Sequence, residues 1–274
     1  MKQAPAVSLI VAVYNKPREL RLLLQAVARQ TWTDFELIVA DDGSGPEIAS
    51  VIAEMRPALP FSVEHVRHED NGWRKNRILN AAIRSSSGEW LVFIDGDCLP
   101  HHRFLEDHAR HRSEDAILCG RRAEMSARWS AALTEERVRS GRFERLGLRE
   151  LWEGVRGRCV RIEEAFRFES PVIRNILHSS VRGVLGSNFS VARQHLFAVN
   201  GFDEEYDGPG FGEDSDLQFR LEILGLRCVS LRHLAIQYHM HHPLTAIPRR
   251  SVELFERRRA DGRLRCRLGL LHEP

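Results

Sequence analysis

The feature that most constrains this chain is the alternation of short apolar runs with segments of helical periodicity. Val7–Val13 is apolar and rich in β-branched residues, which is typical of a strand buried on both faces. Pro17 suits the first turn of a helix, and apolar residues then recur at helical spacing over 20–27. The same order of strand and helix repeats twice more before a fourth strand at 90–94.

This order predicts an α/β fold built on a mostly parallel, Rossmann-like sheet flanked by helices. The remaining strands are expected at 35–40 and 61–66, and the remaining helices after Pro46 and over 76–85. Such sheets bind ligands at the carboxyl ends of their strands. Polar residues stand at three of these ends and are therefore expected to lie close together: Tyr14, Asp42 and Asp95.

Residues 121–182 are less regular, being rich in Arg and Glu without clean periodicity, and predict an insertion of helices and loops. Order returns with a predicted strand at 184–191, a helix at 213–224 and one or two strands within 226–238. The tail is strongly basic from residue 248 onward. We expect one continuous domain in four parts, which are 1–120, the variable insertion 121–182, 183–243 and the basic tail 244–274.

Composition narrows the class of protein. The chain has 43% hydrophobic and 28% charged residues, and its net charge of +2 gives no electrostatic case for nucleic-acid binding. No apolar run approaches the roughly 20 residues that cross a bilayer, and we expect no signal peptide. The five cysteines are scattered without a CxxC pair, which predicts reduced thiols in the cytoplasm rather than disulfides or a zinc knuckle.

Asp95-Gly96-Asp97 is the motif with the most specific chemistry. Two carboxylates that leave a buried strand, separated by a glycine that permits a tight turn, can converge on one divalent cation such as Mg²⁺ or Mn²⁺. These cations commonly share the phosphates of a substrate. Taken alone, the tripeptide is more often a solvated turn, because Asp and Gly are common turn residues.

Several other motifs stand in a fixed order around this tripeptide. The first half contains the run from Val7 to Asn15, Gln30-Thr31-Trp32, Asp41-Asp42-Gly43-Ser44 and the segments 74–82 and 88–97. Together these motifs resemble family 2 glycosyltransferases of the GT-A fold. The second half resembles bacterial chondroitin polymerases, β4-galactosyltransferases and polypeptide N-acetylgalactosaminyltransferases at Gly186-Ser187-Asn188-Phe189-Ser190, Gly201-Phe202-Asp203 and Gly212-Glu213-Asp214.

The resemblance implies that 1–120 binds a nucleotide sugar and that 183–243 forms a smaller acceptor-side subregion. The backbone near Ala12 and the ring of Tyr14 would cradle uracil, and Asp42 would hydrogen-bond the edge of the base. From the residues alone, Asp42 could equally stabilise a turn. Arg74 matches a basic residue that contacts the nucleotide or diphosphate, whereas its neighbour Lys75 could be merely solvated.

The resemblance also assigns the metal site. Asp95 would face the ribose and share the metal site across Gly96 with Asp97, the more direct ligand. His239 would complete the shell, and an imidazole ligand slightly favours Mn²⁺ over Mg²⁺. His241 and His242 follow at once, so which histidine binds stays open; we choose His239 because it directly follows a predicted strand.

Glu213-Asp214 opens a predicted helix, where acidic residues also complement the positive helix N-terminus. The resemblance implies that Asp214 is the general base and that Glu213 contacts the acceptor. Asn188 and Asp216 are weaker candidates for contacts to the donor sugar and acceptor. Phe211 stands where many relatives have tryptophan, which leaves the donor sugar and the acceptor open.

The expected function is an inverting, metal-dependent transfer of a hexose or N-acetylhexosamine from a UDP-sugar to a glycan or lipid-linked glycan. A sugar nucleotidylyltransferase would need a Gly-rich phosphate loop where Tyr14-Asn15-Lys16-Pro17 stands. A non-catalytic basic binding module is the other alternative, but strand-end carboxylates do not suit a nucleic-acid surface. We expect no nucleic-acid partner and a cytoplasmic location, with the basic tail either solvated or in peripheral contact with the inner face of the membrane.

Overall fold

The computed structural model describes residues 4–177, 181–210, 212–243 and 248–272. The strands are β1 Val7–Val13, β2 Phe35–Asp41, β3 Val63–Arg67, β4 Trp90–Asp95, β5 Cys98–Pro100, β6 Ala116–Cys119, β7 Arg121–Glu124, β8 Phe189–Ala192, β9 Arg227–Ser230 and β10 Ile236–His239. The helices are α1 Pro17–Val27, α2 Pro46–Met55, α3 Lys75–Ser85, α4 Phe104–Arg110, α5 Ala127–Ala131, α6 Glu135–Arg139, α7 Leu148–Val155, α8 Pro171–Leu177, α9 Arg193–Ala198, α10 Glu213–Ile223 and α11 Arg249–Asp261. Short 3₁₀ turns lie at Arg56–Ala58, Arg142–Glu144 and Ile162–Ala165.

The large sheet has the strand order β3-β2-β1-β4-β8-β6-β9 and confirms the predicted α/β fold with a mostly parallel sheet. Only β8 runs against its neighbours β4 and β6. The chain moves outward from β1 to β3 and then returns past β1 to form β4, so the strand order reverses between β1 and β4. Parallel sheets bind ligands at the carboxyl ends of the strands beside such a reversal.

A second, three-stranded sheet has the order β5-β10-β7. In it His239 lies opposite Cys98 on one side and opposite Glu124 on the other. Because β5 begins immediately after Asp97, this pairing brings the end of β10 to the Asp95-Gly96-Asp97 motif.

The core consists of two apolar layers, one on each face of the large sheet. Side chains alternate between the faces of a strand, so Leu9 packs with Leu23 of α1 whereas Ile10 packs with Ile78 of α3. Strands that are covered on both faces need mostly apolar residues, and Ser8 is the one polar residue of Val7–Val13.

The structure differs from the sequence-based expectations in several places. The third strand is Val63–Arg67 rather than 61–66, and the strand expected at 184–191 is only Phe189–Ala192. The residues before it form a turn, in which the backbone N–H of Asn188 donates to the carbonyl oxygen of Leu185 at 2.7 Å. The region 226–238 forms two strands, and β5 and β6 were not expected.

The segment 121–182 begins with strand β7 and continues with short helices, so it is more ordered than its composition suggested. The guanidinium of Arg121 donates to the carbonyl oxygen of Gly183 at 2.8 Å, which joins the two ends of the segment. The division of the chain into four parts stays a prediction.

Part of the basic tail forms α11. Arg249 at its start is 92% exposed, whereas Arg258 is paired with Asp203 and Glu205. In the described parts of the chain, no helix has both the length and the apolar character needed to cross a bilayer.

Candidate functional site

An open cavity of about 740 Å³ lies at the carboxyl ends of β1 and β4, beside the reversal of strand order. Nine of the predicted site residues line it: Ala12, Tyr14, Asp42, Asp95, Gly96, Asp97, Glu213, Asp214 and His239. The sheet therefore gathers strand ends that are far apart in sequence, together with the start of α10. Arg74 and Asn188 lie outside the lining of the cavity.

Gly96 holds the acidic motif against β1. Its backbone N–H donates to the carbonyl oxygen of Ala12 at 2.7 Å, and a Cβ at this position would lie only 3.0 Å from the same oxygen. The glycine is thus required by close approach of two backbones as well as by the turn.

The side chain of Asp97 lies beside two histidines, His239 and His242, in the lining of the cavity. Its Oδ2 lies 3.5 Å from Nε2 of His239 and 3.3 Å from Nε2 of His242, and the two histidine nitrogens are 3.1 Å apart. One ligand atom from each of these residues falls within a 4.8 Å cluster. This set of one carboxylate and two imidazoles suits a divalent transition metal.

Asp95, which we predicted as a further metal ligand, lies outside this cluster of three. Its Oδ1 accepts a hydrogen bond from Nζ of Lys75 at 2.6 Å. His241 uses its backbone N–H to donate to Ser130, and its side chain does not line the cavity. The structure therefore places His239 and His242, rather than His241, beside the motif.

The ring of His239 is fixed from behind by Glu124, whose Oε2 contacts Nδ1. Burial lowers the pKa of His239, but its contacts with Asp97 and Glu124 outweigh burial and raise that pKa to about 8. Burial raises the pKa of Glu124, but His239 and Arg122 outweigh burial and lower that pKa to about 2. A carboxylate behind an imidazole is the usual arrangement that orients a metal-binding histidine.

Lys16, Lys75 and Arg122 supply the positive charge of the cavity. Lys16 is paired with Asp97, and Nη1 of Arg122 lies 4.0 Å from Oδ2 of Asp95. Lys75, which could have been merely solvated, is instead largely buried because it is the first residue of α3 and turns toward Asp95. Burial lowers the pKa of Lys75, but Asp95, Glu213 and Asp214 together raise it above its usual value.

Arg74, one residue earlier, contacts the site residue Asp42 through its backbone. Its N–H donates to Oδ2 of Asp42 at 3.0 Å, while its guanidinium donates to the carbonyl oxygen of Asn71. His68 contacts the other oxygen of Asp42 at 2.8 Å. Burial raises the pKa of Asp42 in spite of these contacts. Beside it the ring of Tyr14 is 46% exposed, and its hydroxyl donates to Asp70.

Glu213 and Asp214 are the first two residues of α10, far along the chain from the strand ends. Oδ2 of Asp214 accepts the backbone N–H of Gly186 at 3.1 Å, which orients this carboxylate. Oε2 of Glu213 is buried and has no hydrogen-bond partner among the described residues. Burial and the neighbouring Asp214 raise the pKa of Glu213 to about 7, against the opposing charge of Lys75.

The side chains of Asn188 and Asp216 do not line the cavity and bond to neighbouring parts of the framework. The amide of Asn188 is fully buried and donates to the carbonyl oxygens of Arg121 and Ala235. Asp216 is fully buried and paired with Arg220. Both side chains therefore hold the framework around the cavity. Phe211 lies outside the described residues.

Sequence reasoning missed Lys16, Arg122 and Glu124. Arg122 and Glu124 stand two residues apart in β7, so they share one face of a strand. That spacing was the available signal, but it was hidden in a stretch that has too many charged residues to predict a strand.

Two family models match parts of this chain. The model of the family described as glycosyl transferase family 2 matches residues 8–164. The model described as N-terminal domain of galactosyltransferase matches residues 174–243. The chondroitin synthase of Escherichia coli is 25% identical over 251 residues, which cover 86% of this chain and 35% of that protein. The chain thus spans about a third of the length of this curated relative.

Solved structures show the same fold. That of S. aureus TarS 1-349 in complex with UDP has a TM-score of 0.60 at 19% identity and covers 97% of this chain and 68% of that one. A mannosyltransferase from Pyrobaculum calidifontis, solved with GDP-Man and Mn²⁺, has a TM-score of 0.55 at 19% identity over 95% of this chain and 62% of that one. The predicted GT-A fold is confirmed.

Proposed function

The chain belongs to glycosyl transferase family 2, and on that premise we propose that it is an inverting, metal-dependent glycosyltransferase. It moves a hexose or N-acetylhexosamine from a UDP-sugar to a hydroxyl of a glycan or lipid-linked glycan. One observation carries the proposal: Tyr14 after β1, the carboxylates that end β2 and β4, and the acidic start of α10 line a single cavity. The UDP held by the similar TarS structure supports a uridine nucleotide as donor.

The nucleotide would lie along the ends of β1 and β2. The exposed ring of Tyr14 offers a stacking face for uracil beside the backbone of Ala12. Asp42 already accepts two hydrogen bonds, but each carboxylate oxygen has a second lone pair, so it can also accept the N–H of the base.

The diphosphate would lie near Lys16, Lys75 and Arg122, whose ammonium and guanidinium groups can donate hydrogen bonds to phosphate oxygens. Asp97 and His239, with His242 of the same cluster, would hold Mn²⁺ or Mg²⁺, because carboxylate and imidazole donors fit Mn²⁺ in particular. Asp95 would lie beside this cation, where it accepts a hydrogen bond from Lys75. When bound, this cation stabilises the negative charge that develops on the departing diphosphate.

Asp214 would act as the general base. It removes the proton of the acceptor hydroxyl while that oxygen attacks the anomeric carbon from the face opposite the diphosphate. The new carbon–oxygen bond forms as the bond to the diphosphate breaks, so UDP leaves and the configuration is inverted. Glu213 would contact the acceptor, and its raised pKa of about 7 lets it accept or donate a hydrogen bond near neutral pH.

The experiment measures UDP affinity with Mn²⁺ and sugar transfer in the same set of variants. Asp214→Asn should bind UDP as the wild type does but lose turnover by about 10³-fold, because a general base contributes about 10²–10⁴. Asp97→Ala and His239→Ala should lose the gain in UDP affinity that Mn²⁺ provides. Asp261→Asn, at the exposed end of α11, is the control that should change neither.

The outcomes separate the parts of the proposal. Wild-type turnover in Asp214→Asn would remove Asp214 as base, while Mn²⁺-supported UDP affinity that survives both metal-site substitutions would remove the metal assignment. A wild-type protein that binds no UDP with or without Mn²⁺ would overturn the donor itself. Because Asp97 is buried, its variant is compared with the wild type in thermal unfolding first.

A further inference from the structure

Helix α7 is amphipathic, but it exposes its apolar face to solvent and buries its acidic face. Leu148, Trp152 and Val155 are 88%, 55% and 79% exposed, and their spacing of four and three residues puts them on one face. The opposite, buried face carries Glu150 and Glu153. Glu150 accepts hydrogen bonds from Arg137 and from the backbone of Gly147, so the acidic face has partners within the protein.

Exposed apolar residues are concentrated in this part of the chain. Of the fifteen large apolar side chains that are exposed among the described residues, ten lie between residues 148 and 181. Helix α8 belongs to the same stretch and buries none of its residues. A soluble monomer rarely leaves such a concentration uncovered, and one that does usually uses it to bind something.

The charges around this stretch have one predominant sign. Between residues 144 and 182, exposed arginines occur at five described positions: Arg145, Arg156, Arg158, Arg161 and Arg182. Exposed glutamates occur at two, Glu163 and Glu169, because the other acidic residues from 144 to 169 face inward. The guanidinium of Arg156 lies 5.0 Å from the ring centre of Trp152, so a cationic and an aromatic group stand side by side at the surface.

We propose that the exposed face of α7 docks on an anionic lipid bilayer. An apolar stripe with an aromatic ring and Arg156 beside it, in a segment whose exposed charges are mostly arginines, matches the acyl chains and the phosphate headgroups of such a surface at once. Leu148, Trp152 and Val155 enter the boundary between headgroups and acyl chains, while the arginines pair with lipid phosphates.

The segment that follows α7 is joined to strand β7 by a backbone hydrogen bond. The backbone N–H of Glu124 donates to the carbonyl oxygen of Val160 at 3.0 Å, and the side chain of Glu124 contacts His239. This docking is separate from the transferase activity and does not depend on it.

The test measures flotation of the full chain with vesicles of phosphatidylcholine alone and of phosphatidylcholine mixed with phosphatidylglycerol. The wild type should bind the mixed vesicles and not the neutral ones. Leu148→Ser combined with Trp152→Ser should lower the bound fraction at least about tenfold, because two apolar side chains no longer leave water. Arg156→Glu combined with Arg161→Glu should abolish the preference for anionic lipid.

Two matched controls locate the surface. Arg249→Glu with Arg250→Glu makes the same change of charge at exposed positions of the basic tail, and Leu271→Ser removes an exposed leucine far along the chain. Both should bind mixed vesicles as the wild type does. All these substitutions are at exposed positions, and circular dichroism verifies that each variant is folded.

Three results would overturn the proposal. The first is a wild type that does not bind mixed vesicles, and the second is a tail variant that loses binding as completely as the α7 variants do. The third is self-association of the wild type that the Leu148 and Trp152 substitutions abolish, since the face would then be an interface between copies of this chain.

Discussion

Helices α1 and α7 are both amphipathic, but they turn opposite faces to the protein. Helix α1 buries Leu20, Leu23 and Leu24 against the sheet. Helix α7 buries Glu150 and Glu153 and leaves its apolar residues in solvent. The same periodicity of 3.6 residues thus describes a core helix in one region and a surface helix in the other.

The difference extends to what holds each region in place. Around β1 to β4, apolar side chains from both faces of the sheet form the contacts. The segment 121–182 has apolar contacts as well, but charged groups fix its position at several points. Glu164 pairs with Arg232, and Glu144 with Arg29, at largely buried sites. Polar anchors of this kind leave no trace in hydrophobic periodicity, whereas an apolar interface does.

The largest effect is expected at a polar anchor. Removing one partner of a buried ion pair costs about 3–5 kcal/mol, so Glu164→Ala should lower the free energy of unfolding by about 4 kcal/mol in urea titrations. Glu136→Ala is the control, because Glu136 and its partner Arg139 are both mostly exposed and should change stability by less than about 1 kcal/mol. Equal losses in the two variants would contradict the comparison.

A pair of identical substitutions compares the two helices directly. Leu23→Ala should cost about 3 kcal/mol, because Leu23 is fully buried and its truncation leaves a cavity. Leu148→Ala should stay within about 0.5 kcal/mol of the wild type, because Leu148 is already in water. Urea unfolding of both variants measures the contrast, and a loss of stability in Leu148→Ala that approaches that of Leu23→Ala would show that α7 is covered.

Acid should weaken the polar anchors and not the apolar ones. Burial raises the pKa of Glu144, but Arg29, His101 and His102 outweigh it and bring that pKa below the ordinary 4.5. A carboxyl group with a lowered pKa adds stability above its ordinary pKa, and that stability is lost as the pH falls through the lowered value.

The measurement is the difference in unfolding free energy between wild type and Glu144→Gln at several pH values. The difference should be about 2 kcal/mol at neutral pH and should shrink as the pH falls below 4.5. Glu163→Gln, at an exposed position of the same segment, serves as the reference. A difference that is constant from neutral to acid pH would exclude an electrostatic contribution of Glu144.

The sequence allowed good prediction where the fold is local and repetitive. Parallel strands bring their carboxyl ends to one edge, so the meeting of Tyr14, Asp42 and Asp95 followed once the alternation was recognised. The position of Asp97 beside His239 was expected from family resemblance, and the pairing of β5 with β10 is what creates it.

Other features depend on contacts between residues far apart in sequence. Whether Arg74 or Lys75 reaches the cavity depends on where α3 begins and on its rotation about its axis, since one residue of offset turns a helical side chain by about 100°. Arg122 reaches the cavity, and Glu124 reaches His239, because β7 pairs with β10, more than a hundred residues later. The choice between His241 and His242 depends on how the chain leaves β10. No local pattern contains this information.

The hydrogen bond between Arg121 and Gly183 bears on how freely the length of the chain between them can vary. It closes the segment between them into a loop that leaves the sheet and returns at the same place. The entropy of closing a loop grows only with the logarithm of its length, by about 0.6 kcal/mol for each doubling. The part of this stretch that follows β7 can therefore be lengthened, shortened or exchanged during evolution while the order of strands stays unchanged, so the surface that it presents can diversify on a constant scaffold.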